Sequence, residues 1–358
     1  MEKNWHRVHP DFRLNGIPLG FGKLESTAKS LLQGKDFEHS IGEFLLSWAS
    51  DNPMVEVLTS GSTGTPKRIE IKKEHMINSA MATGDKFQLE AKQTALLCLS
   101  CTGIAGKMML VRSLVLGLEL DAVEPSSDPL PNNGKPYDFV AMVPLQLQNS
   151  LGQLDRIGTL IIGGAPLDGP LKERLKSKGG TIYETYGMTE TVSHIAVKEV
   201  APRSWDYFEC LPQVEVGVDE RGCLLIEAPG ISDIPVITND LVELLGKTKF
   251  KWLGRFDSII NSGGIKLLPE KIEEKLAPLM ESRFFVSGIP DRRLGQRLVL
   301  IVEGRAGDGP LLIERIKELD GLSKYEIPKS VHFVETFVET DSRKVHRKKT
   351  LEKLIPLS

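Results

Sequence analysis

Apolar side chains recur at helical spacing at Phe37, Ile41, Phe44, Leu45 and Trp48, which predicts an early amphipathic helix. The pattern then changes. Val55-Glu56-Val57-Leu58 and Ile69-Glu70-Ile71 alternate like the two strands of a hairpin, and a helix over 74–87 follows. Beyond it, continuous apolar runs alternate with helical stretches. A run at 96–99 precedes a helix over 107–116, and a run at 139–143 precedes a polar helix. Thr159-Leu160-Ile161-Ile162 meets Gly163-Gly164, and a helix over 170–178 leads to Thr181-Ile182-Tyr183. Uninterrupted apolar strands between helices predict an α/β fold with mostly parallel sheets covered by helices. Ligands bind at the carboxyl ends of such strands.

From about Leu211 the segments shorten to Val214-Glu215-Val216, Leu224-Leu225-Ile226 and Val242-Glu243-Leu244, which read as a small β subdomain. After Arg255 the pattern becomes helix (269–276), strand (284–289), strand (298–302), helix (311–319) and strand (331–334), a small α+β unit. The chain thus divides into 1–256 and 257–358, with the boundary at Asp257. No internal repeat or low-complexity linker interrupts it.

A chain of 358 residues favours two domains. With 41% hydrophobic and 26% charged residues it has the composition of a soluble globular protein. A net charge of −3 argues against general nucleic-acid binding. The expectation is a cytoplasmic protein without a membrane span, since no apolar run approaches ~18 residues and the N-terminus lacks a signal-like core. A homodimer is compatible with the sequence, which does not fix the oligomeric state. Four cysteines do not make a disulfide scaffold. Cys98 and Cys101 form a C-x-x-C, but Cys98 lies in a strand-like apolar run, so core cysteines are the reading.

The strongest chemical signal is Thr59-Ser60-Gly61-Ser62-Thr63-Gly64-Thr65-Pro66-Lys67. Glycines allow close backbone approach, successive N–H groups can form an anion nest, and hydroxyls with one ammonium add donors. The loop suits phosphate oxygens without being a Walker A sequence; a plain Ser/Gly hairpin turn is the alternative. A second segment, Glu184-Thr185-Tyr186-Gly187-Met188-Thr189-Glu190, is expected as a loop after a strand. Tyr186 offers a flat face for a base, Thr189 a hydroxyl for phosphate, and Glu190 a hard oxygen ligand for Mg²⁺. Thr189 could equally cap a helix with Glu190 in its first turn. Gly163-Gly164-Ala165 leaves open backbone at a strand end. Asp240 can accept ribose hydroxyls, and Arg255 adds fixed donors. Ser262-Gly263-Gly264-Ile265-Lys266 and the basic run Arg343-Lys344-Val345-His346-Arg347 complete the set.

In this order, from Leu58 to Arg347, the six segments resemble the adenylate-forming superfamily of acyl-CoA synthetases, adenylation domains and luciferases. The resemblance implies activation of a carboxylic acid by ATP and Mg²⁺ through an acyl-adenylate. A thiol, usually that of coenzyme A, then displaces AMP. On this reading Thr59, Ser60, Gly61, Ser62, Thr63, Gly64 and Lys67 hold the β- and γ-phosphates, and Thr189 and Glu190 serve the α-phosphate and the metal. Gly163, Gly164, Ala165, Glu184, Thr185, Tyr186, Gly187 and Met188 surround the nucleotide, whose ribose falls to Asp240 and Arg255. Lys344 bridges carboxylate and α-phosphate, Asp257 is the hinge of a mobile C-terminal domain, and Gly263, Gly264 and Lys266 face coenzyme A in a second state. Departures from the family are Arg343 where glycine is usual, Val338 where proline is usual, and Thr102-Gly103 where many relatives carry an aromatic-His pair. The phosphate loop also begins early, as if the N-terminal subdomain were pared down.

The segments at 104–112 and 186–194 look like those of compact o-succinylbenzoate–CoA ligases of menaquinone biosynthesis. The unreacted carboxylate of that acid would need a cation or hydroxyls, for which Lys107, Ser193 and His194 are the candidates. Lys107 also reads as a surface helix lysine and His194 as a strand histidine beside the site. Two rival readings stand: an aryl or amino acid adenylating enzyme that loads a carrier protein, and a non-catalytic nucleotide-binding relative.

Overall fold

The computed structural model describes residues 4–58, 68–339 and 345–354. Its largest element is a thirteen-stranded mixed sheet. Six strands lie parallel, in the spatial order Arg13–Leu14, Glu119–Ala122, Thr94–Leu97, Tyr137–Met142, Ile157–Ile162 and Thr181–Gly187. The sheet continues antiparallel through His194–Ala201, Phe208–Cys210, Lys249–Arg255, Val236–Gly246, Cys223–Glu227 and Glu215–Val218. The short β segments expected as a small subdomain are thus a continuation of the main sheet.

Both faces of the parallel half are covered, as its apolar runs require. Ala95, Leu97, Phe139, Ala141 and Ile161 join one core with Phe44, Trp48 and Met108 from the helices Asp36–Ala49 and Ile104–Leu116. Leu96, Cys98, Val140, Met142, Leu160 and Ile162 join a second core with Leu147, Leu171 and Leu175 from the helices Pro144–Ser150 and Gly169–Leu175. Alternate residues of one strand feed opposite cores, and each buried Leu or Ile contributes about 1.5–3 kcal/mol. The four cysteines are free and buried, as expected of core residues.

Two shifts of an expected boundary bear on the site. The helix over 107–116 begins at Ile104, because Gly106 allows its first turn to press on the Ser100 carbonyl; a Cβ there would lie 2.3 Å from that oxygen. The strand at 181 runs on to Gly187, so Glu184, Thr185 and Tyr186 sit in a strand and not in a loop. Partner strands on both sides override the polar composition of this stretch.

The large sheet ends at Arg255. A short turn, Phe256–Ser258, carries Asp257, and a separate five-stranded sheet begins at Ile260–Ser262. Gly263 and Gly264 have φ of +58° and +82° in the two-residue turn joining Ile260–Ser262 to Ile265–Leu267. Two consecutive positive φ values define the hairpin turn that glycine permits. The helix Pro269–Leu276 packs on the last strand of the large sheet: a Cβ on Gly254 would lie 2.6 Å from Glu270 Oε2, while Glu270 Oε1 accepts from Ser258 Oγ at 2.8 Å.

Candidate active site

The site forms where the parallel strands end. The strands Met54–Leu58 and Arg68–Lys72 make the expected hairpin; Thr59, Ser60, Gly61, Ser62, Thr63, Gly64 and Lys67 belong to its connection and lie outside the described residues. So does Lys344. The residues on either side of Lys344's segment are held: Glu339 and Val345 form a β-bridge, and Arg347 makes a two-pronged ion pair with Glu273 at 2.7 and 2.8 Å.

Gly163 and Gly164 follow the strand Ile157–Ile162. A Cβ on Gly163 would lie 2.8 Å from Thr185 Oγ1, and Gly164 has a φ of +88°. Thr185 Oγ1 donates to the Ile162 carbonyl at 3.0 Å, which pins the two strand ends together. Glu184 is buried and fully engaged. One carboxylate oxygen accepts from the Leu167 backbone N–H at 3.0 Å, and the other lies 2.7 Å from Lys198 Nζ and 3.5 Å from Lys172 Nζ. Burial pushes its carboxyl up, but the two lysines and these hydrogen bonds hold it below the usual range. Glu184 therefore stays ionised and secures the Gly163–Leu167 loop. Gly187 is sterically fixed: a Cβ would meet the Ser193 carbonyl at 2.3 Å.

Thr189 and Glu190 occupy a single 3-10 turn, Thr189–Thr191. The hydroxyl that closes the turn is that of Thr191, hydrogen-bonded to the Met188 N–H at 3.0 Å, so the alternative reading of Thr189 as a cap does not hold. Glu190 is exposed. The next residue after the turn, Val192, has a φ of +65°. A β-branched residue there is strained, and such strain collects at functional sites.

Tyr186 donates its hydroxyl to Asp240 Oδ2 at 2.6 Å, joining the 184–190 segment to Asp240. Trp252 Nε1 donates to Asp240 Oδ1 at 3.2 Å, and Arg255 Nη1 lies 3.8 Å from the same oxygen. Arg255 also pairs with Asp257 through two contacts of 3.1 Å. Gly263, Gly264 and Lys266 stand on the small sheet, where Lys266 lines a cleft of about 370 Å³ with Lys271, Lys275 and Glu326.

The acid candidates separate. Lys107 Nζ donates to the Cys101 and Thr102 carbonyls at 2.7 and 2.9 Å, so its ammonium holds the turn before its own helix. Ser193 and His194 instead meet a cation that the sequence reading missed. Arg112, 2% exposed, donates to Ser193 Oγ at 2.6 Å and Thr83 Oγ1 at 3.3 Å, and approaches His194 Nδ1 at 3.3 Å. No carboxylate pairs with it among the described residues. Burial pushes its pKa down to about 9, which leaves it charged at neutral pH. A guanidinium offers donors only, so His194 Nδ1 accepts and the ring proton sits on Nε2. That Nε2 is buried without a partner among the described residues. Burial, and then the charge of Arg112, depress the His194 pKa well below its ordinary value, so the ring is neutral. In sequence, a lone arginine between Val111 and Ser113 in an apolar helix was the available signal.

Among the described residues no group of three or more His, Cys, Asp or Glu could cage a metal, and no helix is long and apolar enough to cross a membrane.

The chain is similar to known proteins in sequence and in fold. A family model described as "AMP-binding enzyme" matches residues 26–216, more than half of the chain. A 2-succinylbenzoate–CoA ligase of Geobacillus sp. (strain WCH70) is 25% identical, covering 88% of this chain and 71% of the relative. The crystal structure of an acyl-CoA synthetase (AMP-forming)/AMP-acid ligase II-like protein from Dyadobacter fermentans is 36% identical, with TM-score 0.61 over 92% of this chain and 98% of that one. An o-succinylbenzoate coenzyme A synthetase from Bacillus subtilis, in complex with ATP and magnesium ion, shares the fold at 21% identity, with TM-score 0.70 over 83% and 69% of the two chains. The chain belongs to the AMP-binding enzyme family, as an AMP-forming acid–thiol ligase.

Proposed function

We propose that this chain is an ATP-dependent carboxylic acid–CoA ligase whose acid is o-succinylbenzoate. The observation that carries the choice of acid is Arg112, a buried guanidinium beside Ser193 and His194 with no carboxylate partner among the described residues. A buried cation is costly unless an anion answers it. An acid with a second carboxylate supplies that anion while its first carboxylate reacts. The neighbouring aromatic rings, Phe87 near Tyr183, Phe139 and His194, suit a benzoate ring.

The remaining roles follow the family chemistry. Thr59–Lys67 holds the leaving pyrophosphate, and Thr189 meets the α-phosphate. Tyr186, Gly163, Gly164 and Ala165 frame adenine, with Thr185, Gly187 and Met188 shaping the same strand end. Asp240 and Arg255 hold the ribose. Lys344 stabilises the negative charge shared by nucleophile and phosphate. Glu190 would hold Mg²⁺, an ion that takes one or two protein carboxylates and completes its shell with phosphates and water; a single exposed carboxylate fits that habit. Mg²⁺ supplies charge neutralisation when bound. The part after Asp257 is the mobile domain, turning about that residue so that Gly263, Gly264 and Lys266 meet coenzyme A. Substrates of this kind place the enzyme in the cytoplasm.

The test is ATP–pyrophosphate exchange and thioester formation with o-succinylbenzoate, with an analogue lacking the ring carboxylate, and with a panel of aryl and fatty acids. The first should react and the analogue should lose at least about tenfold in kcat/KM. No AMP and no thioester from o-succinylbenzoate, with turnover of another acid, refutes the substrate. Lys344→Ala should lose most adenylation while largely keeping thioester formation from supplied adenylate.

A further inference from the structure

Asp240 is 6% exposed and its two oxygens are held differently. Tyr186 Oη donates to Oδ2 at 2.6 Å, and Trp252 Nε1 donates to Oδ1 at 3.2 Å. Arg255 Nη1, 3.8 Å away, contributes charge without a hydrogen bond. A carboxylate offers about four acceptor directions. One donor on each oxygen leaves one direction free on each, a pattern that matches the paired hydroxyls of a vicinal diol.

Both donors are themselves fixed. The Tyr186 ring packs against Phe208 and Phe250, with centroids 5.8 and 5.2 Å away. Trp252 stands in the strand Lys249–Arg255, which is paired to the strand of Asp240 with Asp240 opposite Arg255. The Asp240 backbone is tied as well, its N–H donating to Thr238 Oγ1 at 3.0 Å. The remaining freedom is rotation of the carboxylate, a broad torsion with weak intrinsic preference. Two charge-assisted hydrogen bonds from opposite sides remove it.

We propose that Trp252 is a positioning residue that, with Tyr186, locks the Asp240 carboxylate so that the site selects ribonucleotides over deoxyribonucleotides. The proposal rests on the nucleotide reading of Asp240 and adds to it the group that makes the carboxylate selective. Trp252→Phe keeps a ring and removes only the N–H.

Calorimetric titration of the full-length protein with AMP, 2′-deoxy-AMP and 3′-deoxy-AMP tests it without needing to know the acid. The wild type should bind AMP more tightly than either analogue, and Asp240→Asn should erase most of that preference. Trp252→Phe should reduce the preference over at least one analogue by about tenfold, the weight of one hydrogen bond to a charged acceptor. If Trp252→Phe weakens all three nucleotides equally, its role is packing and the proposal is overturned. If Asp240→Asn leaves the preference intact, the ribose reading of Asp240 fails first. Tyr186→Phe applies the same test to Oδ2, and serves should Trp252→Phe fail to fold.

Discussion

The two ends of this site treat buried charge in opposite ways. At the proposed nucleotide end the Asp240 carboxylate is satisfied, with donors from Tyr186 and Trp252 and the charge of Arg255 close by. At the proposed acid end Arg112 is positive and meets hydroxyls, a thioether and an imidazole, with no carboxylate among the described residues. Removing one partner of a matched pair leaves the other stranded, whereas removing a lone buried charge relieves a desolvation cost. A binding group and a structural group can thus be separated by asking which one the free protein would be more stable without.

The largest expected effect follows from that contrast. Arg112→Met fills a similar space without charge. It should lower kcat/KM for o-succinylbenzoate by about 10²–10³-fold, the range for stranding a buried anion, while the unliganded protein melts no lower than wild type. A fall in both would make Arg112 a structural residue and would break the contrast. Asp240→Asn should act at the other end, weakening AMP by about 10–100-fold and leaving the KM for the acid unchanged; titration with each ligand reads both.

Lys107 sharpens the comparison because it lies on the same helix as Arg112, five residues earlier. Its ammonium is spent on the Cys101 and Thr102 carbonyls. Lys107→Met should cost about 1–3 kcal/mol of stability in denaturant unfolding and change the KM for the acid by less than about threefold. A large rise in that KM with unchanged stability would restore Lys107 as the carboxylate ligand and demote Arg112.

These two cations also show how far the sequence could be read. The alternation of apolar runs with helices gave the covered parallel sheet, because Leu96, Val140 and Ile161 have apolar neighbours on both sides and so leave no face for water. The motif at 184–190 was legible as chemistry but not as a strand, since its polar residues are carried by hydrogen bonds from strands distant in sequence. Asp240 was singled out through its motif; its partner Trp252 was in view, but nothing in the spacing says that its indole N–H reaches the carboxylate on the neighbouring strand. Arg112 was hidden by its setting. An arginine in an apolar helix reads as a snorkelling surface residue, and only the packing of 83, 193 and 194 around it shows that it is enclosed. Lys107, one helical face away, sat nearer the helix start where ligand groups are expected, and tertiary contacts gave it a different task.

The smallest effect tests whether Arg112 and His194 form one unit. Burial first, and the Arg112 charge second, lower the pKa of His194 in the folded protein. The unfolded chain therefore binds a proton that the folded chain refuses, and stability rises with pH across that interval. The contribution of His194 is fully present above its unfolded pKa of about 6.5, and it is lost as pH falls from there toward the depressed folded value. Arg112→Met removes the second cause and leaves the first. The His194 pKa should move up without reaching its ordinary value, and the acid-side loss of stability should shrink. Histidine C–H chemical shifts through a pH titration report the first change and melting temperature against pH the second. An unmoved His194 pKa would mean that burial alone sets it, and that the guanidinium and the imidazole are neighbours without electrostatic coupling. A pKa moved upward would show that the cation proposed to meet the substrate also keeps the adjacent imidazole neutral, with its Nε2 proton available as a donor.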